Sequence, residues 1–170
     1  MNIQAMTDYF LQYGALTIFI IVFLEYLNLP GFPAGVIMPL AGIWASKGDI
    51  GILSTILVSV TAGLAGSWVL YGIGYFSGDF ILKKYIKWFP KQEKNIQDMI
   101  ERIQKKGCPG IFFSKLIPVV RTVIGLPAGV VRLNFIGYTL YSTLGILVWN
   151  SVLIGAGFFF GETFMANWNL

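Results

Sequence analysis

Two apolar stretches without a charged residue, 50–76 and 135–160, most constrain what this chain can fold into. Each is longer than about 20 residues, the length that an α-helix needs to cross the hydrocarbon core of a bilayer. The chain is 56% hydrophobic and only 12% charged, whereas about a quarter of the residues of soluble domains are charged. We therefore predict a single all-α integral membrane domain in which 50–78 and 135–161 are transmembrane helices.

Two further apolar segments, 29–46 and 109–131, are interrupted by residues that break helices. The residues that shape these breaks are prolines and one glycine: Pro30, Pro33, Pro118, Pro127 and Gly129. Broken backbone is tolerated at membrane depth only where protein or a water-filled cavity covers it. Each segment is therefore predicted to be a re-entrant helical hairpin, which enters the membrane and returns to the same face.

The segment 9–28 is predicted to be an N-terminal helix that carries Glu25 within apolar sequence. No Lys or Arg precedes its apolar run, so it lacks the basic start of a cleaved signal peptide, and we expect it to remain in the mature protein. Acidic side chains at membrane depth are rare and mark ion or proton pathways. Glu25 is thus a candidate proton or ion carrier; the alternative is a permanent salt bridge.

Residues 79–107 differ in composition from the apolar segments, because they hold eight of the twelve basic residues of the chain. Apolar and aromatic side chains accompany the charges in 80–89 and 92–105, which predicts two amphipathic surface helices. An excess of Lys and Arg marks cytoplasmic connections and attracts anionic lipid. We predict a cytoplasmic amphipathic connection and no nucleic-acid partner.

The two halves of the chain share short motifs in the same order. Residues 39–42 resemble 126–129, and the G-x-G-aromatic run at 72–75 resembles that at 155–158. If each half is one hairpin and one crossing helix, successive halves enter the membrane from opposite faces. This predicts an inverted repeat, an arrangement typical of transporters whose binding site lies near the membrane midplane.

Three cationic side chains, Lys115, Arg121 and Arg132, lie in or beside the second hairpin, against Glu25 in the embedded segments. The two surplus positive charges match a phosphomonoester, which carries about −1.5 to −2 near neutral pH. Arginine binds phosphate oxygens bidentately and lysine binds them as a point charge. The pattern predicts a lipid-phosphate site in a cleft that also includes the polar residues Asn150 and Ser67. Ion pairing with Glu25, caps on hairpin carbonyls and contact of Arg132 with bulk lipid are the structural alternatives.

The chain has no histidine and one cysteine, Cys108. An internal disulfide, metal sites built from Cys and His, and histidine acid–base chemistry are therefore excluded. A phosphatase is disfavoured as well, since a dense acidic metal cluster is missing from the sequence. We expect a protein that is not an enzyme and that holds no cofactor or metal.

One run of residues resembles the DedA family of bacterial membrane proteins, which shares its core domain with the eukaryotic VTT proteins. The run is Phe113-Ser114-Lys115-Leu116-Ile117-Pro118-Val119-Val120-Arg121, continued by Leu126-Pro127-Ala128-Gly129, Arg132 and Trp149-Asn150. The resemblance implies an inverted-repeat lipid transporter of the bacterial cytoplasmic membrane. It implies undecaprenyl phosphate, or another phospholipid, as substrate and protons or sodium as the coupling ion.

Site residues are also implied by the resemblance. Arg121 and Arg132 match arginines of the family, and Glu25 matches an embedded acid. Lys115 stands where an arginine is usual, and an acid is usual where this chain has Ser67. Gly35 likewise stands at about the position of a second embedded acid, which leaves the coupling ion open.

We therefore expect translocation (recycling) of undecaprenyl phosphate by alternating access. The alternatives are a flippase or scramblase for another phospholipid, such as phosphatidylethanolamine, and a lipid-binding envelope-assembly factor that transports nothing. Small residues along 50–76 permit a homodimer without requiring one.

Overall fold

The computed structural model describes residues 3–27, 34–47, 51–88 and 93–167, which form helices and turns without a β-strand. Pro30 and Pro33 lie outside these residues. The helices in chain order are α1 (Ile3–Tyr26), α2 (Ala34–Lys47), α3 (Ile52–Ser77), α4 (Asp79–Trp88), α5 (Glu93–Lys106), α6 (Pro109–Lys115), α7 (Val120–Val123), α8 (Gly125–Val130) and α9 (Phe135–Asn167). The all-α fold class predicted from the sequence is confirmed.

Among the described helices, α3 and the first part of α9 (Phe135–Phe160) are long and apolar enough to cross a membrane. Both expose large apolar side chains, such as Leu53 and Phe76 of α3 and Ile136 of α9. Such exposure is costly in water but expected where a helix faces lipid, because lipid tails are as apolar as these side chains. The two stretches of the sequence without charge thus form the two membrane-capable helices.

Helix α1 is kinked within the segment predicted as one N-terminal helix. The backbone at Gly14 is not helical (φ 19°, ψ −95°) and divides the helix in two. The apolar piece that follows, Gly14–Tyr26, is shorter than a membrane-crossing helix. It ends with Glu25 and Tyr26, both buried, so the acid is carried into the interior of the protein by the end of a short helix.

The segment predicted as the second hairpin is a helix, a break and two short helices. Helix α6 starts with Pro109, where the missing N–H is not needed, and ends at Lys115 shortly before Pro118. Val119 then adopts φ 67°, a left-handed conformation that costs a β-branched residue about 1–3 kcal/mol. The break at 116–119 thus separates Lys115, the last residue of α6, from Arg121 in α7.

Helix α2 packs on α9, and α8 packs on α3, through glycines at which the backbones come into contact. A Cβ atom at either glycine of the first crossing, Gly42 or Gly157, would overlap the backbone of the facing helix. The same holds for Gly129 and Gly74 in the second crossing. Small residues at helix interfaces permit this close approach in membranes. The glycines come from the motifs that the two halves of the sequence share.

Replacing Gly74 with Ala is expected to destabilise the protein by about 1–3 kcal/mol, because a Cβ atom there meets the Leu126 carbonyl oxygen and Val130 nitrogen of α8. Gly72 of the same helix has open space at its Cβ position. Gly72→Ala is therefore the matched control and should be neutral or stabilising by up to about 1 kcal/mol. Thermal unfolding of the purified variants in detergent measures both effects; equal midpoints would contradict the packing argument.

Helices α4 and α5 lie within the segment predicted as the amphipathic connection. Helix α4 exposes Lys83 and Lys84 together with Phe80 and Trp88, and the Lys84 ammonium lies 5.6 Å from the centre of the Trp88 ring. Ile103 of α5 is buried in a cluster with Tyr71 and Ile111. The connection is thus attached to the helical core on one side and presents lysines and aromatic rings on the other.

Candidate functional site

Arg121 and Glu25 form a buried ion pair. The Arg121 and Glu25 side chains are 2% and 3% exposed. Nη2 of Arg121 donates a hydrogen bond to Oε1 of Glu25. The other terminal nitrogen, Nη1, donates to the Tyr26 hydroxyl at 2.8 Å. Burying a charge is tolerated only when it is paired and hydrogen-bonded, and these two bonds meet that condition for Arg121. The salt bridge considered as an alternative role for Glu25 is present.

Lys115 is fully buried, with an exposure of 0%. Its Nζ donates to the Ser67 hydroxyl at 2.8 Å and to the backbone carbonyl of Arg121 at 2.9 Å. Helix α9 can pass close to this side chain because Gly145 has no Cβ, which would lie 2.5 Å from the Lys115 Cβ. Both of these hydrogen-bond acceptors are neutral, and no described acidic side chain forms an ion pair with Lys115.

The Tyr26 ring lies beside both cations, and the Trp149 ring lies beside Arg121. The guanidinium carbon of Arg121 lies 4.8 Å from the centre of the Tyr26 ring and 5.3 Å from that of Trp149, distances typical of cation–π contacts. Tyr26 fits into space left by Gly63 and Gly66, where a Cβ would come within 2.9 and 2.7 Å of its side chain. Sequence reasoning did not select Tyr26 or Trp149 as site residues. The position of Tyr26 next to Glu25 and the small residues of α3 were the available signals.

We call these residues the buried ionic cluster: Glu25, Tyr26, Ser67, Lys115, Arg121 and Trp149. It holds two cations and one carboxylate, which leaves one surplus positive charge. Within the described part of the chain, Oε2 of Glu25 and the indole N–H of Trp149 are buried without hydrogen-bond partners. The cluster thus offers positive charge and an unused donor to an anion, and an unused acceptor to a proton or cation.

Arg132 lies apart from this cluster, although the sequence grouped it with Lys115 and Arg121. It is exposed, adopts φ 51° and lies with its guanidinium carbon 5.5 Å from the centre of the Tyr75 ring. It lines a cavity of about 530 Å³ that neither Lys115 nor Arg121 lines. Among the buried side chains that the structure describes, the surplus is therefore one positive charge, instead of the two counted from the sequence.

The two polar residues expected in the cleft have separate partners. Ser67 accepts the Lys115 bond and donates to the Gly63 carbonyl at 2.7 Å. Asn150 is buried where α9 meets α3, and its Nδ2 donates to the Ser59 hydroxyl at 3.1 Å. The structure thus brings Ser67 into the cluster, whereas the contacts of Asn150 connect the two long helices.

The hairpin-shaping residues that the structure describes lie in the break after α6 and in α8. Pro118 is exposed in the break between Lys115 and Arg121. Pro127 and Gly129 are buried in α8, and a Cβ at Gly129 would come within 2.7 Å of the Tyr75 nitrogen of α3. Gly129 therefore fixes how closely α8 lies against α3, and Pro118 lies in the break between α6 and α7.

Comparison with known proteins identifies relatives over most of the chain. Residues 32–159 match the family model of the VTT domain. Undecaprenyl phosphate transporter A of Staphylococcus aureus is 30% identical over 165 residues, covering 95% of this chain and 81% of the relative. The protein of the same name from Bacillus subtilis is 32% identical over 131 residues, 76% of this chain and 66% of the relative. An alkaline phosphatase-like protein of Lactococcus lactis strain IL1403 is 26% identical over 164 residues, 94% of this chain and 74% of the relative.

No solved structure matches this chain. The family match covers both halves of the sequence, from residue 32, before the first shared motif, to residue 159 in the apolar part of α9. It includes Lys115, Arg121, Arg132 and Ser67, and it confirms the resemblance drawn from the 113–121 run and the Trp149-Asn150 pair. The chain is a membrane protein and belongs to the DedA family, whose defining unit is the VTT domain.

Proposed function

We propose that this protein translocates undecaprenyl phosphate, a polyprenyl lipid carrying a phosphomonoester, across the bacterial cytoplasmic membrane. The observation that carries the proposal is the surplus positive charge of the buried ionic cluster, where the partners of Lys115 among the described residues are neutral. A buried charge without a counter-ion reduces stability, so its presence is best explained by a ligand of opposite charge. The names of the relatives from S. aureus and B. subtilis agree with this substrate.

The head group would bind by exchanging internal hydrogen bonds for bonds to phosphate oxygens. The guanidinium of Arg121 supplies a planar pair of donors, and Lys115 supplies a point charge that its Ser67 bond holds in place. The buried Trp149 indole N–H, without a partner among the described residues, is a further donor, and the centre of the Trp149 ring lies 5.3 Å from the Arg121 guanidinium carbon. A phosphomonoester of about −1.5 to −2 exceeds the single surplus charge of the cluster and matches its two cations, Lys115 and Arg121, once the Glu25 carboxylate is neutral.

Glu25 provides the coupling step of this proposal. When the lipid phosphate binds the guanidinium of Arg121 in place of Glu25, the buried Glu25 carboxylate loses its cationic partner. An unpaired buried carboxylate is strongly disfavoured, so it takes up a proton or binds a sodium ion. Oε2, buried and without a partner among the described residues, is the atom that accepts it. Binding of lipid and binding of the coupling ion are thereby linked through Arg121.

The proposed architecture is an inverted repeat of two re-entrant hairpins, 29–46 and 109–131, each followed by a membrane-spanning helix. It is supported by the two glycine crossings, in which matching motifs of the halves lie at matching positions, α2 on α9 and α8 on α3. Residues 79–107 form the cytoplasmic connection of this multi-pass chain. Movement of the hairpins at these crossings exposes the cluster alternately to the two faces.

Proteoliposomes that contain the purified protein and undecaprenyl phosphate test the proposal. The measurement is the fraction of lipid phosphate reached by a membrane-impermeant phosphate-binding reagent added outside, followed over time. We expect the accessible fraction to rise with protein and to respond to an imposed proton or sodium gradient. Binding of the lipid without any change in accessibility would favour the non-transporting assembly factor and contradict transport.

The same vesicles separate the remaining alternatives. Phosphatidylethanolamine labelled in the inner leaflet should not move faster than in protein-free vesicles, since a zwitterionic head group leaves the surplus charge uncompensated. Equal acceleration of both lipids would support a general scramblase. Release of inorganic phosphate, measured in parallel, would reveal a phosphatase activity and overturn the assignment as a transporter.

A further inference from the structure

A second polar feature lies outside the buried ionic cluster, in the cavity of about 530 Å³ beside Arg132. We call it the Arg132 cavity. Its walls combine aromatic rings with two polar side chains, and the residues used below are Trp68, Tyr71, Tyr75, Phe76, Arg132 and Asn134. The cavity lies at the end of α3 that leads into α4, the lysine-bearing helix on the face proposed to be cytoplasmic.

Arg132 gives the cavity an accessible positive charge. The ion pairs formed between side chains that the structure describes are Glu25–Arg121 and Glu101–Lys105, and Arg132 takes part in neither. Asn134 lines the cavity as well; its Oδ1 accepts from the Gly137 N–H at 2.9 Å, and its NH₂ group is a further donor. The first residue of α9, Phe135, also lines the cavity, and helix N-termini favour anions. Charge complementarity thus points to an anionic head group.

The walls and rim of the cavity suit the chain of a lipid. Of the lining residues, Trp68 and Tyr75 are 41% and 40% exposed and Phe76 is 88% exposed, and Ile136 of α9, next to the lining residue Phe135, is 77% exposed. Aromatic rings with a polar edge are enriched at the level of lipid head groups, where one end is apolar and the other is wet. A phosphate held at Arg132 would therefore leave its apolar chain along the exposed faces of α3 and α9.

A wall of two tyrosines separates the cavity from the buried ionic cluster. Tyr71 lines the cavity and stacks on Tyr138, with ring centres 4.8 Å apart. Tyr138 is fully buried, and its hydroxyl donates to the backbone carbonyl of Ser67 at 3.2 Å. Ser67 in turn accepts the Lys115 hydrogen bond. The Tyr71–Tyr138 pair therefore lies between Arg132 and the buried ionic cluster. The cavity and the cluster are adjacent but separate sites.

We propose that the Arg132 cavity is a docking site for the phosphate of a lipid phosphomonoester, distinct from the buried ionic cluster. It holds the lipid on the proposed cytoplasmic side of the Tyr71–Tyr138 wall, next to the cluster. The choice of a phosphomonoester rests on the proposed function, whereas the site itself rests on the charge and lining of the cavity. In this proposal Arg132 binds the lipid before transport, and the buried ionic cluster binds it during translocation.

Trp68 provides a reporter for this site. The full chain is placed in nanodiscs of phosphatidylcholine with rising fractions of phosphatidic acid, a lipid phosphomonoester, whose acyl chains are brominated. The signal of Trp68 is the tryptophan fluorescence of the protein minus that of the Trp68→Phe variant. We expect brominated phosphatidic acid to quench it at a lower lipid fraction than brominated phosphatidylcholine does.

Arg132→Asn removes the charge and keeps a residue that tolerates positive φ. It should raise the phosphatidic acid fraction needed for half-quenching about tenfold, the loss of one charge-assisted contact. Lys94→Gln, which removes an exposed charge from α5, is the control and should leave the half-quenching point unchanged. Equal quenching in Arg132→Asn and the unmodified protein, or equal quenching by both lipids, would overturn the proposal. Displacement of the lipid by an equal concentration of inorganic phosphate would overturn it too, because the apolar walls would then contribute nothing.

The outcomes for docking and for transport are independent. Selective quenching that depends on Arg132, in a protein that moves no lipid phosphate across vesicles, supports the docking site and contradicts the proposed function. If undecaprenyl phosphate is transported but quenching is the same in Arg132→Asn and the unmodified protein, the docking site is contradicted and the proposed function is not.

Discussion

Glu25→Gln is expected to destabilise the folded protein by about 3–5 kcal/mol, the cost of breaking a buried ion pair from one side. The Glu25 side chain is 3% exposed and receives a hydrogen bond from Arg121, whose guanidinium is 2% exposed. The neutral amide leaves that guanidinium without a counter-ion next to Lys115, so the surplus of the cluster rises to two positive charges. Unfolding free energies, measured in mixed detergent micelles, give the size of the effect.

The double variant Glu25→Gln with Arg121→Gln provides the control. Each single change should be severe, whereas the double change removes both charges and should cost much less than the sum of the two. Arg121 also donates to the Tyr26 hydroxyl at 2.8 Å, so a part of its cost should remain in the double variant. Strictly additive effects would mean that the pair contributes no coupling energy and would contradict the contact as described.

Lys115→Met is expected to reduce transport of undecaprenyl phosphate about 10- to 100-fold, the loss of one hydrogen bond to a charged group. Its effect on stability should be small or favourable, in contrast to that of Glu25→Gln. Lys115 is fully buried, and its hydrogen bonds to described residues go to the Ser67 hydroxyl and a backbone carbonyl. Replacing a buried charge without a counter-ion by an apolar side chain of similar length removes its desolvation cost. Function would then be lost while the midpoint of unfolding stays the same or rises.

The variant Lys115→Arg tests whether transport needs only the positive charge at position 115 or also the size and shape of the lysine side chain. It keeps the positive charge but adds a planar group next to Gly145, where α9 passes close to the Lys115 Cβ. We expect partial transport and lower stability. A Lys115→Met protein that transports at the normal rate would remove Lys115 from head-group binding. A Lys115→Met protein as unstable as Glu25→Gln would show that the lysine charge is compensated within the folded protein.

Hydrophobic periodicity and the positions of charges were sufficient to predict which segments form membrane-capable helices and which form amphipathic helices. The uncharged stretches 50–76 and 135–160 predicted the two membrane-capable helices, because length and composition alone decide whether a helix suits a bilayer. Amphipathic patterns within 79–107 predicted helices that the structure describes as α4 and α5. The kink at Gly14 was not predicted, since an isolated glycine in an apolar run is compatible with a continuous helix.

The site was predicted less completely than the helices. Lys115, Arg121 and Glu25 stood out because charges at membrane depth are rare. Tyr26 and Trp149 did not, because aromatic residues in apolar helices are common and are usually packing residues. Their role depends on contacts between α1, α7 and α9, elements far apart in sequence.

By itself the sequence determined that this chain is a helical membrane protein of the DedA family with unpaired positive charge in a broken apolar segment. Composition and local pattern carry that information, since each follows from the neighbours of a residue along the chain. Only the tertiary structure decided how the charges are divided: Glu25 pairs with Arg121, Lys115 has no acidic partner among the described side chains, and Arg132 lies in a separate cavity. The physical reason is that a Coulomb energy depends on distance and burial in space, and the sequence lists charges without specifying either.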